Sequence, residues 1–230
     1  MAVKSIAPGF DPCDLHFPFR DTVKPGESGQ GYALRMAQEN HIGGLPQLKK
    51  WLGKSRFAVV DGDDAKLLQK WFGADQPGLD FSLGRLTTGK EAELYTYAGQ
   101  EIGRSYFLNR SYPRICPQCL NEDGYCHSAW DFSLVVACHC HNQLLVDQCD
   151  VCDQRLSWNR QQHAQCGCGE VWGQSSGGVA ATSIETQFSK WVHQCIQKRY
   201  GEVVAPAQSG CDFAAPPNGL AALMTLLWPL

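Results

Sequence analysis

Cys116-Pro117-Gln118-Cys119 opens a run of four cysteine motifs. Eighteen residues later comes Cys138-His139-Cys140-His141, then Cys149-Asp150-Val151-Cys152, and after thirteen more residues Cys166-Gly167-Cys168. A tetrahedral zinc takes four soft or borderline ligands, and a Cys-x-x-Cys turn sets two thiolates on one metal without strain. Counted in order, the motifs make two complete sets: Cys116, Cys119, Cys138 and His141, and Cys149, Cys152, Cys166 and Cys168. Two structural zinc ions are therefore predicted. Consecutive pairing would give two separate knuckles, and interleaved pairing a cross-braced module. Position 149 follows position 141 by only eight, which allows either. His139 and Cys140 lie inside the second motif and either could replace a neighbour, although Cys-x-x-His spacing favours Cys138 and His141. Cys126, His127 and His163 read as structural or exposed neighbours of the sites, and Cys13, Cys195 and Cys211 as core thiols.

The surrounding composition bears on the compartment. The chain has 230 residues, 12 of them cysteine, and 43% hydrophobic residues, enough for a buried core. The opening Met1–Gly9 has no long apolar run, and no stretch reaches the roughly 20 apolar residues of a membrane helix. A soluble intracellular protein without membrane contact is expected. In a reducing compartment, clustered cysteines are metal ligands before they are disulfides.

Working outward, residues 1–24 are Pro-rich and read as an irregular arm. A helix is predicted over about Glu27–Asn40, with Tyr32, Ala33, Met36 and Ala37 at helical spacing and Gly43-Gly44 as its stop. A second, short helix carries Leu45, Leu48, Trp51 and Leu52 on one face before Gly53. The pair fits a helix-turn-helix, and equally two plain core helices. Residues 56–60 read as extended. Asp61 or Asp63 can cap a third helix with Leu67, Leu68, Trp71 and Phe72 inward and Gly73 at its end. Leu79, Phe81, Leu83 and Leu86 show no clean period. Beyond the cysteines, Gln174–Ala181 reads as a linker. Ser183 then caps a helix to about Tyr200, with Ile184, Phe188, Trp191, Val192 and Cys195 inward, and Leu220–Trp228 reads as a final helix or as the start of one. The predicted fold is mainly α with a small α+β character: a helix-turn-helix lobe over 25–115, a tandem zinc lobe over 116–172, a linker over 173–182 and C-terminal helices over 183–230.

Charge narrows the function. The chain carries a net −3, which excludes coating nucleic acid by charge alone. Residues 1–115 hold 15 basic and 13 acidic side chains, net +2, whereas residues 116–172 hold 2 and 7, net −5. Three thiolates and a neutral histidine on zinc add about −1, and four thiolates about −2. The cysteine lobe should therefore repel DNA and meet protein, with Trp158 and Trp172 expected as exposed contact aromatics. Any nucleic-acid or partner contact falls to Lys49, Lys50, Lys54 and Arg56 beside Trp51, and to a looser group, Arg104, Arg110 and Arg114. A solvated helix face accounts for the first cluster equally well. Catalytic residues are not expected. Each zinc set is closed by four protein ligands, there is no His-x-Glu or His-Glu-x-x-His, and Gly89-Lys90-Glu91 lacks the hydroxyl and upstream glycines of a phosphate loop.

The segment Cys116-Pro117-Gln118-Cys119 through Tyr125, followed by Trp130, Cys138, His141, Leu144-Leu145 and Cys149-Asp150-Val151-Cys152, resembles the TniQ/TnsD family of transposition target-selection proteins. The stretch Pro25-Gly26-Glu27-Ser28, with Arg35-Met36-Ala37 and Asn40, is similar to the opening helix of that family, so the resemblance covers about residues 25–170. It implies an N-terminal helix-turn-helix, tandem zinc fingers and an adaptor role. Such proteins link a target-recognising element to a TnsC-type AAA+ ATPase. In CRISPR-associated transposons that element is an RNA-guided effector complex, and in other relatives the protein itself binds target DNA at an attachment site. Homodimerisation is left open.

Overall fold

The computed structural model describes residues 15–53, 62–73, 84–85, 95–97, 100–102, 105–109, 112–173, 178–197 and 220. Helix α1 spans Gly29–Glu39, α2 Gly44–Trp51, α3 Gly62–Phe72, α4 Pro117–Asp123 and α5 Ser183–Gln197. Strands β1 (Gly84–Arg85), β2 (Tyr95–Tyr97) and β3 (Gln100–Glu101) form an antiparallel sheet in that order. A second antiparallel pair, β4 (Ala137–Cys138) and β5 (Gln143–Leu144), sets Cys138 opposite Gln143. Short 3-10 turns cover Ser105–Phe107 and Ser128–Asp131. The architecture is mainly helical with few short strands, as expected.

The start of α1 explains the motif around it. Ser28 is the N-cap, and its hydroxyl accepts from the Gly31 amide at 3.4 Å. Gly31 packs on the cysteine lobe, because a Cβ there would stand 2.8 Å from the Cys126 Cβ. Arg35, one turn further on, donates to both carboxylate oxygens of fully buried Glu27 at 2.7 and 2.8 Å and to Asp21 at 2.8 Å. That bidentate pair ties the irregular segment before α1 to the helix. At the other end the Asn40 amide bonds the Phe19 backbone on both sides, accepting from its N–H at 3.0 Å and donating to its carbonyl at 2.9 Å.

Helix α2 packs against α1 through buried Leu45 and Leu48. Leu68, Trp71 and Phe72 of α3 are fully buried, and the Phe17 ring stacks on Phe72 at 5.1 Å and on Trp51 at 5.7 Å. Asp63 lies inside the first turn of α3 rather than at its cap, and Asp61 falls outside the described residues. So do 56–60, Leu79, Phe81, Leu83, Leu86, Cys13, Cys211 and residues 221–230; Leu220 is helical and buried. One apolar core joins Tyr32, Leu45, Trp71 and Phe72 to Ile115, Leu120, Trp130 and Phe132 of the cysteine region and to Val192 and Ile196 of α5.

Two details of α5 differ from expectation. The cap is Thr182, one residue early: its hydroxyl accepts from the Glu185 amide at 3.3 Å, and Glu185 accepts from the Thr182 amide at 2.8 Å. This reciprocal pair is a capping box, and Ser183 is the first helical residue. Ile184 is 77% exposed, not inward. The buried stripe is Ser189, Val192, His193 and Ile196, turned by about one residue from the apolar one. The helix faces His127 and His139, so polar side chains take positions that hydrophobicity reserves for apolar ones. Gly178–Ala181, read as linker, runs beside β5: Leu144 donates to the Val179 carbonyl at 2.7 Å, and Ala181 to the Asn142 carbonyl at 2.9 Å.

Candidate metal centres

Helix α4 begins on the first motif. Cys116 is its N-cap, Pro117 stands at N1, and Gly124 closes it in the left-handed conformation, φ 75°. Cys119 thus points back beside Cys116 from the first turn. The chain returns through β4 and β5, locked next to this turn by paired backbone bonds of 2.9 and 2.8 Å between Ile115 and Val146. The β4–β5 hairpin thereby delivers Cys138 and His141. His141 Nδ1 lies 3.4 Å from Cys116 Sγ, 3.2 Å from Cys119 Sγ and 3.6 Å from Cys138 Sγ, and the last two sulfurs are 3.4 Å apart.

The second set is built from two turns. Asp153, at φ 55°, closes the Cys149–Cys152 turn, and Gly169, at φ 102°, closes the Cys166–Cys168 turn. Cys149 Sγ lies 3.7 Å from Cys168 Sγ, and Cys152 Sγ 3.7 Å from Cys166 Sγ. In each set all four donor atoms lie within 4.8 Å of one another. Zinc with Zn–S bonds of about 2.3 Å has a tetrahedral edge of about 3.8 Å. Thiolate and imidazole donors at these separations fit a divalent soft-to-borderline ion such as zinc. The consecutive sets are the ones the fold brings together; the interleaved alternative is not realised, because the return through β4 and β5 closes the first set before Cys149 is reached.

Two further side chains address the first set, and spacing did not single them out. His141 Nε2 donates to the Glu122 carboxylate at 3.2 Å, which leaves Nδ1 free to face the sulfurs. Buried Gln143 donates from Nε2 to Cys116 Sγ at 3.1 Å. The clues were indirect: an acidic residue one turn after Cys119 on α4, and an amide two residues after His141 on the hairpin.

The intruders take other roles. Cys140 is exposed, with its sulfur 3.5 Å from His139 Nε2, and the His139 ring packs on His193 of α5 at 4.6 Å. Cys126 and His127 are both buried. Burial pushes the Cys126 thiol up to about 12. His127 bonds Asp123 at 2.7 Å and His193 at 3.1 Å, and burial lowers its pKa. Asp123, His127 and Cys119 also form a trio of donors, but Cys119 already faces the first set. His163 lies apart from the second set. Gln38 accepts from its backbone N–H at 3.1 Å and pairs with Nδ1 at 2.8 Å, and burial, then Arg160 and Arg35, bring its pKa down to about 4.

Trp158 and Trp172 are 3% and 6% exposed, which corrects their reading as surface aromatics. They flank the Arg160 guanidinium at 5.2 and 5.1 Å, an arrangement that gives favourable cation–π contact to a buried cation. Among the expected cations, Lys49 is half-buried and Lys50 exposed at the end of α2, while Lys54, Arg56, Arg104 and Arg110 fall outside the described residues. Arg114 turns inward and donates to the carbonyls of Ser133 at 2.7 Å and Val135 at 3.1 Å, so it anchors a loop rather than joining a surface patch. No helix among the described residues is long and apolar enough to cross a membrane.

Against protein families, the TniQ family matches residues 18–145, a span running from the segment before α1 through the first donor set. No curated protein matches the chain.

Proposed function

The chain belongs to the TniQ family, and from that premise we propose that it is a zinc-stabilised adaptor for target-site selection in DNA transposition, joining a target-recognition complex to a TnsC-type AAA+ ATPase. The TniQ domain itself implies a role in transposition-associated target selection. The adaptor reading rests chiefly on one observation: two closed four-donor sets share a core with the α1–α2 pair. Metal ligation at Cys116, Cys119, Cys138 and His141 and at Cys149, Cys152, Cys166 and Cys168 would supply folding energy, and it leaves no protein-built open position for a reactive water. A shape-holding role, with no catalysis, follows from that donor chemistry.

Charge supports protein partners over direct DNA reading. Residues 116–172 are net −5 before any metal–thiolate charge is added. Each phosphate contact needs a cation and steepens the salt dependence of binding. Lys49 and Lys50 lie at the C-terminal end of α2 and offer a contact face, with Lys54 and Arg56 following in sequence.

The test is capture. Purified protein should bring down a TnsC-type ATPase or an RNA-guided effector complex, and bind isolated duplex weakly and with little sequence preference at about 150 mM salt. Alanine at Lys49, Lys50, Lys54 and Arg56 should weaken that capture at least several-fold and leave the melting temperature within about 2 °C. A nanomolar complex with one DNA sequence and no captured protein would instead favour a self-sufficient attachment-site binder.

A further inference from the structure

Among the described residues, Arg160 is a buried cation with no carboxylate partner. It is 5% exposed, and its guanidinium donates to three neutral carbonyls: Ser157 at 2.9 Å, His163 at 3.0 Å and Gln162 at 3.1 Å. It also reaches the Cys126 sulfur at 4.0 Å, a thiol kept neutral by burial. Among the described residues no acidic side chain forms an ion pair with it. A buried guanidinium is expensive unless a negative charge lies near. Arg160 and Trp172 line one cavity, of about 260 Å³, together with Cys152, Cys166 and Cys168 of the second donor set. Four thiolates on a divalent metal leave about −2 there.

The same residue gathers the loop that touches the helix pair. Its fork pins the carbonyls of 157, 162 and 163 around itself, and the backbone of Arg160 and Gln161 then presses on Gly44 at the start of α2. A Cβ at Gly44 would overlap the Arg160 carbonyl oxygen and stand 2.7 Å from the Gln161 Cα. The Gln38–His163 bonds add a second contact to α1. Arg160 therefore stands between the second donor set and the α1–α2 turn.

We propose that Arg160 is the fixed counter-cation of the second metal centre and, through the 157–163 loop, ties metal occupancy there to the seating of the α1–α2 turn. The inference rests on the second donor set holding metal, as in the function proposed above. It makes Arg160 a positioning residue rather than a ligand.

Full-length protein loaded with Co(II) separates the two centres, because four-sulfur and three-sulfur–one-nitrogen sites differ in absorption. Wild-type protein should bind two ions, and absence of the four-sulfur spectrum would overturn the metal reading itself, apart from any effect of Arg160. In Arg160→Met the four-sulfur ion should be lost to chelator about 10–100-fold more readily, with the other centre unchanged. Arg160→Lys keeps the charge and should hold that ion within about threefold of wild type, while amide exchange over 157–163 and Gln38–Leu45 accelerates. Equal retention in Arg160→Met and wild type, or equal loss from both centres, would overturn the proposal. Should Arg160→Met fail to fold, wild-type protein decides: chelation of the four-sulfur ion must speed exchange over 157–163 and Gln38–Leu45 about tenfold or more while α5 stays protected. Unchanged exchange overturns the coupling.

Discussion

His141 divides its ring between two partners: Nδ1 faces the three sulfurs, and Nε2 donates to Glu122, 3.2 Å from one carboxylate oxygen and 3.1 Å from the other. The carboxylate selects the tautomer that can ligate and stops the ring from turning. Glu122→Gln should weaken metal retention at the first centre about 3–10-fold, the low end for such partners because the Glu122 side chain is 61% exposed. Competition with a chromophoric chelator measures it, and the second centre serves as the internal reference.

Cys119→Ser removes a sulfur that contacts both Cys138 and His141. A hydroxyl is a poor zinc ligand, and the remaining donors would stay crowded. Elemental analysis should fall from two ions per chain to one. Stability should drop by at least about 3 kcal/mol, since α4 and the β4–β5 hairpin are joined through this centre. Unchanged circular dichroism and melting would show that Cys119 is not a structural ligand.

Buried Asp131 accepts a hydrogen bond from the Tyr97 hydroxyl, and burial pushes its pKa from 3.8 up to about 7. A raised folded-state pKa means that the native state binds the proton more tightly than the unfolded chain. The associated stability is complete below about pH 4 and is lost as pH rises to about 7, with a slope of up to about 1.4 kcal/mol per pH unit. Asp131→Asn deletes this term. The difference in unfolding free energy between wild type and Asp131→Asn should therefore move in favour of Asp131→Asn as pH rises from 5 to 8. A pH-independent difference in urea melts would contradict the assignment, and taking the difference cancels acid release of metal from both proteins.

Gly44 and Gly53 offer a matched pair. Both have positive φ, 69° and 68°, but only Gly44 has backbone where a Cβ would sit. Gly53→Ala should cost about 1 kcal/mol, the conformational penalty alone. Gly44→Ala adds the overlap with Arg160 and Gln161 and should cost about 2–4 kcal/mol. Thermal melts of the two variants give the comparison directly.

Much of the helical framework was legible because its signals are local. Leu45 and Leu48, and Leu68, Trp71 and Phe72, follow the helical period, and Gly53 and Gly73 stop the helices they follow. Helix α4 was not legible: seven residues hold too few turns for a period, and it is pinned by its Pro117 start and Gly124 stop. The inward face of α5 was misjudged at Ile184, because the buried side also takes in Ser189 and His193, the latter packed on His127 and His139, and so lies about one residue round from the apolar stripe.

The donor sets were written in the spacing of the cysteine motifs, since a tight turn is a local object and a tetrahedron needs four donors. Sequence alone also carried the family motif, Pro25-Gly26-Glu27-Ser28 with Arg35 and Asn40, whose positions lie within a few turns of one another; the Ser28 cap and the Glu27–Arg35 pair were seen only in the structure. Which half-motifs close together was decided by the Ile115–Val146 bridge and the β4–β5 return, contacts between residues far apart in the chain. Tertiary structure alone also decided that Trp158 and Trp172 are interior, because they surround a cation whose burial no apolar pattern announces. Hydrophobic period reports what a side chain prefers; its neighbours across the core determine where a polar group such as Arg160 can be placed.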